Sequence, residues 1–368
     1  MRDPQHSGRP VSRFRTWTRR FLLLGAGFLL AAACVELLVG LVYGTQVRFP
    51  RRVVEAPWGL RYNDPGAHYT HTSPDVTVSF RINAQGMRSD VDYPHEKPAG
   101  RRRIVCVGDS FTIGYEVESD QCFAKVLEAK LRADGIDVEV LNAGVSGYST
   151  AEAVLYVERE LLEYAPDVIV ASFFINDLVD NVRSDLFRLD GDRLLQQREV
   201  YVPLGGIGNF LNSNFLFNFL SEHSNAFVFV KENITRVLKS ELAQRNLENL
   251  ERAADPSSRS SVQDYERRLA AALLRRLRDV CSSRAIPQVV QVIPGVHGVG
   301  ATTLDDPFPY ELFEPGDAGM IVICCKEFLQ PLMAANQLYY ERSHWHWTPI
   351  SHAASGQKLA SVIAPMLR

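Results

Sequence analysis

Hydrophobic and polar positions along the chain fall into two regimes. Residues 21–44, FLLLGAGFLLAAACVELLVGLVYG, are apolar except for Glu36. A run of that length can cross a bilayer, which takes about 20 apolar residues. From Arg103 onward, short apolar runs alternate with stretches of helical period. The segments RIVCV (103–107), VEVLNAGV (138–145), PDVIVASFF (166–174) and PQVVQVIP (287–294) read as strands. Residues 120–132, 151–164, 262–282 and 349–366 read as helices. Val- and Ile-rich strands without polar alternation imply a parallel sheet covered on both faces, hence an α/β three-layer sandwich.

Two inserts interrupt the alternation, at about 182–261 and 295–337. Before it, residues 45–100 form a lead-in rich in Pro, Gly, Tyr and Arg. Its alternating run DVTVSFRIN (75–83), closed by AQGMR, predicts a strand and a turn. The expected organisation is a basic tail (1–20), an apolar helix (21–44), the lead-in (45–100) and a catalytic domain (101–368).

Charge adds a direction. The tail carries Arg2, Arg9, Arg13, Arg15, Arg19 and Arg20 against Asp3 alone. Arginines on one flank keep that end cytoplasmic, which sends the remainder to the periplasmic or extracellular side of a single-pass anchor. A cleaved signal peptide is the rival, with LAAAC (30–34) as a faint lipobox. The apolar residues beyond Cys34 argue for a retained anchor. Over 368 residues the net charge is −3, which gives no nucleic-acid footprint. The six cysteines show neither CxxC nor metal-ligand spacing, so no cofactor, metal or thiol chemistry is expected.

Candidate chemistry sits at the strand ends. GDS (108–110), NAG (142–144) and IND (175–177) each follow an apolar run, and such ends lie side by side in a parallel sheet. Ser110 would then stand beside the Gly144 amide and the Asn176 carboxamide, donors suited to an oxyanion. Asp109 reads as a turn former and Asp177 as a cap or loop partner. Near the C-terminus, ERSHWHWTPISH places His346 two residues before Thr348-Pro349, a helix start, where an imidazole could reach Ser110. His352, one turn into that helix, reads as structural. Trp345 and Trp347 could line a pocket or cover an edge.

These segments resemble the SGNH (GDSL-type) hydrolase superfamily, in a bacterial membrane-anchored layout. VGDSFTIGY is similar to its nucleophile block, LNAGVSGYST to the block of the oxyanion-hole glycine, FFIND to its Gly-x-Asn-Asp block, and HWTP to its histidine block. The resemblance implies a flavodoxin-like sheet, Ser110 as nucleophile, His346 as base, and the Ser110 and Gly144 amides with Asn176 as oxyanion hole. Three departures stand out: Phe174 replaces a glycine, Ser351 replaces another, and the positions two and three before His346 hold His344 and Ser343 rather than an Asp. Glu341 is the candidate substitute acid, either for His344, which would then be the base, or for His346.

The expected function is an exported, membrane-anchored serine esterase acting through an acyl-enzyme on O-acyl groups, acetyl above all, of carbohydrate or cell-envelope substrates. An O-acyltransferase acting on a glycan and a catalytically inactive envelope scaffold are the alternatives. The missing Asp favours the last.

Overall fold

The computed structural model describes residues 13–368, apart from 51, 203–209, 212, 254–260, 297, 299 and 314–318. The first twelve residues of the basic tail and parts of both inserts therefore lie outside the described residues. Helix α1 (Arg13–Tyr43) takes in the apolar run up to Tyr43 and four of the arginines before it, Arg13, Arg15, Arg19 and Arg20. Its segment Trp17–Tyr43 is long and apolar enough to cross a membrane. Leu24, Phe28 and Leu41 stand exposed on it, unlike the side chains of a core helix.

The lead-in folds as two antiparallel hairpins, β1 (Val53–Glu55) with β2 (Arg61–Asn63) and β3 (His68–Thr72) with β4 (Thr77–Arg81). Strand β4 keeps the predicted alternation, burying Val78 and Phe80 against Phe49, Tyr69, Ile113 and Tyr115. The last two belong to the catalytic domain, so the lead-in is packed onto it. Arg88 fixes that join. Its buried guanidinium donates to the carbonyls of Ile113 at 2.9 Å, Val117 at 2.6 Å and Gly114, and covers the Phe80 ring.

The catalytic domain contains β5 (Arg102–Gly108), β6 (Val138–Gly144), β7 (Val168–Phe173), a hairpin of β8 (Phe187–Asp190) and β9 (Arg193–Gln196), β10 (Gln288–Val292), a short pair β11 (Gly295–Val296) and β12 (Leu304–Asp305), and β13 (Met320–Cys324). Five of these form one parallel sheet in the order β6-β5-β7-β10-β13, the 2-1-3-4-5 order of a flavodoxin-like fold. Four were legible in the sequence. The fifth, β13, lies in the stretch that reads as the second insert. It is an edge strand with mostly half-exposed side chains and no flanking helical pattern to mark it.

Helices α2 (Ser110–Ile113), α3 (Phe123–Ala133), α4 (Thr150–Arg159), α5 (Asn176–Ser184), α6 (Phe215–His223), α7 (Asn225–Ala253), α8 (Ser261–Ser282), α9 (Cys325–Leu329) and α10 (Pro349–Leu367) complete the domain. Phe123, Leu127 and Leu131 of α3 pack with Leu359 and Ile363 of α10 on one sheet face. Val154 of α4 packs with Leu269 and Leu273 of α8 on the other. Thr348 precedes α10 with extended backbone, yet its hydroxyl donates to the Gln337 carbonyl at 2.7 Å rather than capping the helix.

His352 is structural. Its Nδ1 accepts the Phe123 amide at 3.2 Å, which holds the first turn of α3, and Trp347 covers its ring. Burial drives its pKa down to about 3. The unfolded chain therefore takes up a proton near pH 6.5 that the folded one refuses until about pH 3. Over that window the unfolded state binds more protons, so stability falls as pH falls. We expect urea unfolding to lose stability from pH 6.5 downward. His352→Asn, which keeps an acceptor for Phe123 without titrating, should flatten that slope; a slope unchanged in the variant would remove His352 from the effect.

Candidate active site

Strand β5 ends at Gly108, and Asp109 turns the chain into α2 by accepting the Phe111 amide on Oδ1 at 2.9 Å. This delivers Ser110 to the C-terminal edge of the sheet with its hydroxyl half-exposed. On the far side, the loop before α10 is pinned to residues 338–340 by Tyr340 N–H to the His346 carbonyl and Thr348 N–H to the Leu338 carbonyl, both 2.9 Å. The imidazole of His346 lies between Tyr115, 4.8 Å away and stacked, and Phe111 at 5.0 Å. Its Nε2 is 2.8 Å from Ser110 Oγ. For Nε2 to accept the hydroxyl proton, the ring hydrogen must sit on Nδ1, a tautomer inferred from the bonding.

A carboxylate faces that Nδ1, and it is not the one the sequence suggested. Glu116 Oε2 lies 3.7 Å from it, within ion-pair range. Glu116 is fully buried, six positions after the nucleophile, with φ at +63°. A non-glycine residue persists in that region only where its surroundings enforce it. Here the enforcement is Arg88, which grips the carbonyls on both sides of it. Burial pushes the Glu116 carboxyl up, but its contacts with His346, His71 and Ser343 outweigh burial and hold it well below the usual carboxylate range. The second contact comes from the lead-in: His71 Nε2 is 3.3 Å from Glu116 Oε1. A carboxylate can only accept, and burial keeps His71 from protonating easily, so neutral His71 carries its hydrogen on Nε2.

Glu341 is a correction: it stands half-exposed and makes no hydrogen bond or ion pair among the described residues. His344 is exposed, and its ring centre is 6.1 Å from that of His346. The loop reverses at Trp345, whose φ is +57°, so it is His346 that points inward. Glu116 escaped the sequence reading because the expected acid was sought beside the histidine. Its one signal was a lone carboxylate among the apolar residues of FTIGYEV.

Of the three expected oxyanion donors, Gly144 has its amide already engaged. Gly144 does different work: its amide donates to Asn142 Oδ1 at 3.1 Å and its carbonyl accepts from Asn63 at 2.9 Å. A Cβ there would lie 2.2 Å from the Ile113 amide nitrogen, so Gly144 is glycine because α2 rests directly on it. Three residues on, Tyr148 N–H closes a turn onto the Val145 carbonyl at 3.0 Å, with Gly147 third at φ +74°. That is a type II turn, in which the Gly147 N–H takes no part in the closing bond. Arg61 holds the Gly147 carbonyl. Asn176, at the start of α5, turns its Nδ2 toward Asp109 Oδ2 at 3.4 Å, beside Ser110. Asp177 accepts from Phe174 N–H at 2.8 Å and Thr150 Oγ1 at 3.0 Å, tying the β7–α5 turn to α4. Trp347 is buried core; Trp345 is half-exposed. Among the described residues, no group of three His, Cys, Asp or Glu side chains is placed to hold a metal ion.

Comparison with known proteins identifies the family. Residues 106–317, more than half of the chain, match the GDSL-like Lipase/Acylhydrolase family. The chain therefore belongs to that family, one of carboxylic ester hydrolases. It is 27% identical over 75 residues to an arylesterase of Vibrio mimicus, a match covering 20% of this chain and 38% of that protein. The chain thus spans well under half the length of that curated relative. Among solved structures it is similar to a putative lipolytic protein of the G-D-S-L family from Desulfitobacterium hafniense (12% identity, 71% of this chain and 98% of that one, TM-score 0.37). It is also similar to the acetyl xylan esterase AlAXEase (13%, 71% and 99%, TM-score 0.37).

The geometry separates the rival acids and bases. Glu116→Gln should lower kcat by about 10,000-fold with KM nearly unchanged, the scale of losing a triad carboxylate. Glu341→Gln and His344→Ala should each stay within about 2-fold of wild type, since Glu341 makes no hydrogen bond to the serine or its base and His344 meets His346 only ring edge to ring face. His71→Phe should cost about 10-fold in kcat and move the acid limb of the pH–rate profile upward, with His71→Gln recovering most of both. Steady-state kinetics on p-nitrophenyl acetate check all five variants. A full-activity Glu116→Gln would exclude it as the acid.

Proposed function

We propose that the chain is a membrane-tethered serine esterase that works through an acyl-enzyme. The 2.8 Å contact between Ser110 Oγ and His346 Nε2, backed by buried Glu116, is the observation that carries this reading. Ser110 Oγ attacks the acyl carbonyl as its proton passes to His346 Nε2. Glu116 stabilises the imidazolium that forms. Amide donors at Ser110 and Gly147, with Asn176 Nδ2, receive the oxyanion; a hole donor of this kind is worth about 3 kcal/mol. His346 returns the proton to the departing alkoxide, and water then repeats the sequence on the acyl-enzyme, releasing acid and free Ser110.

The reading extends to the acyl group. Phe174 stands where relatives are expected to carry glycine, its ring 4.7 Å from Phe111, which itself lies against His346. An aromatic ring in place of a glycine, packed on the ring that backs His346, narrows the space there and favours a small acyl group such as acetyl. The alcohol side is the hydroxyl of a carbohydrate or cell-envelope polymer, and the α1 segment holds the enzyme at the membrane with its catalytic domain on the periplasmic or extracellular side. Glu116 removes the reason for an inactive scaffold, which was the want of an acid.

Full-length enzyme in detergent should react with a fluorophosphonate probe and hydrolyse p-nitrophenyl acetate, and Ser110→Ala should abolish both. Labelling that persists in Ser110→Ala would overturn the nucleophile assignment. Transfer of acetyl to an added glycan faster than release of acetate would replace hydrolysis with acyl transfer.

A further inference from the structure

The hydrolytic centre leaves one structural oddity unused, the single carboxylate in the apolar run. Glu36 stands seven residues before the end of α1, which at 1.5 Å per residue puts it about 10 Å inside the outer end of the helix. A carboxylate at that depth needs partners, and it has three. Its oxygens accept from Ser224 Oγ at 2.6 Å and from the amides of Asn225 at 2.7 Å and Ala226 at 3.1 Å. These are the residues that join α6 to α7. Glu36 therefore occupies the N-terminus of α7, where a negative charge meets unsatisfied amides. The junction is clamped further by Asn225 Oδ1, which accepts the Gln46 amide at 2.9 Å, and by the Phe229 ring, 4.5 Å from Tyr43.

The α6–α7 junction thus sits at the depth of Glu36, below the end of the anchor. The surface around it matches that depth. On α6, Phe215 is 81% exposed, Leu216 60% and Phe219 45%, the last with one face stacked on His223 of the same helix. On α7, Val230 and Ile234 are exposed one turn apart. The polar side of α6 instead turns to the protein: Glu222 accepts the Thr70 amide at 2.7 Å, and Asn218 and Ser221 are buried.

We propose that the α6–α7 hairpin is a second membrane contact, dipping into the leaflet at the C-terminal end of α1, with Phe215, Leu216 and Phe219 among the acyl chains. The occupant of this apolar face is lipid, because the face is continuous with α1 and held to it at membrane depth by Glu36. The proposal rests on reading α1 as a bilayer anchor. It gives the first insert a role: with α1 it fixes the catalytic domain at two points rather than leaving it on a swivelling tether.

The test uses the full chain in phosphatidylcholine liposomes, with Cys34→Ser and Cys324→Ala and one new cysteine at a time carrying an environment-sensitive fluorophore. Positions 215, 216 and 219 report on the hairpin, Leu29→Cys on the middle of α1, and Arg193→Cys on a solvent-exposed hairpin. Lipids with a nitroxide on the acyl chain should quench the labels at 215, 216, 219 and 29 severalfold more than the one at 193. Quenching at 29 with none at 215, 216 or 219 would overturn the hairpin contact while leaving the anchor. No quenching at 29 would overturn both. Should a label at 215 disturb folding, intact hydrolysis of p-nitrophenyl acetate identifies the variants that can be read.

Discussion

The arrangement depends on one buried charge. Glu116 has no access to water, so its carboxylate can remain ionised only if the protein supplies donors. Its partners come from separate parts of the chain: His71 from the lead-in hairpin, 3.3 Å from Oε1, and His346 from the loop before α10, with Nδ1 3.7 Å from Oε2 and within ion-pair range. Remove the lead-in and the acid loses one partner and the Arg88 clamp that holds its left-handed backbone. Residues 45–100 therefore support the pairing of Glu116 with His346, although among the described residues none of their side chains hydrogen-bonds to Ser110.

Much of the fold was readable because its causes are local and repetitive. Unbroken Val and Ile runs such as VIVASF leave no reading but a strand buried on both faces, and Thr348-Pro349 marks the start of α10 whichever bond the hydroxyl makes. Ser110 and His346 were legible for a related reason, since the ends of such elements converge in a doubly wound sheet. β13 was not, because an edge strand with one neighbour needs less apolar surface than a central one.

The carboxylate beside His346 and the surroundings of Gly144 were harder because they depend on contacts between distant segments. That Glu116 faces His346 follows from a turn whose backbone is set by Arg88, and no spacing rule links residues 88, 116 and 346. Gly144 looked like a glycine kept open for substrate; its missing Cβ instead makes room for the Ile113 backbone. Glu36 belongs with these. In the sequence it is a flaw in an apolar helix, and in three dimensions it is the joint between that helix and the first insert.

The pairing of Glu116 with His346 is tested most directly by a crystal structure of the enzyme inactivated with a small fluorophosphonate. A phosphonyl group on Ser110 Oγ mimics the tetrahedral intermediate and leaves the imidazole protonated. The account predicts His346 Nδ1 drawn to within about 3 Å of Glu116 Oε2, His71 still on Oε1, and the phosphonyl oxygen about 3 Å from the Gly147 amide and Asn176 Nδ2. Glu116 turned away from the imidazolium, with Glu341 or a main-chain carbonyl in its place, would contradict it.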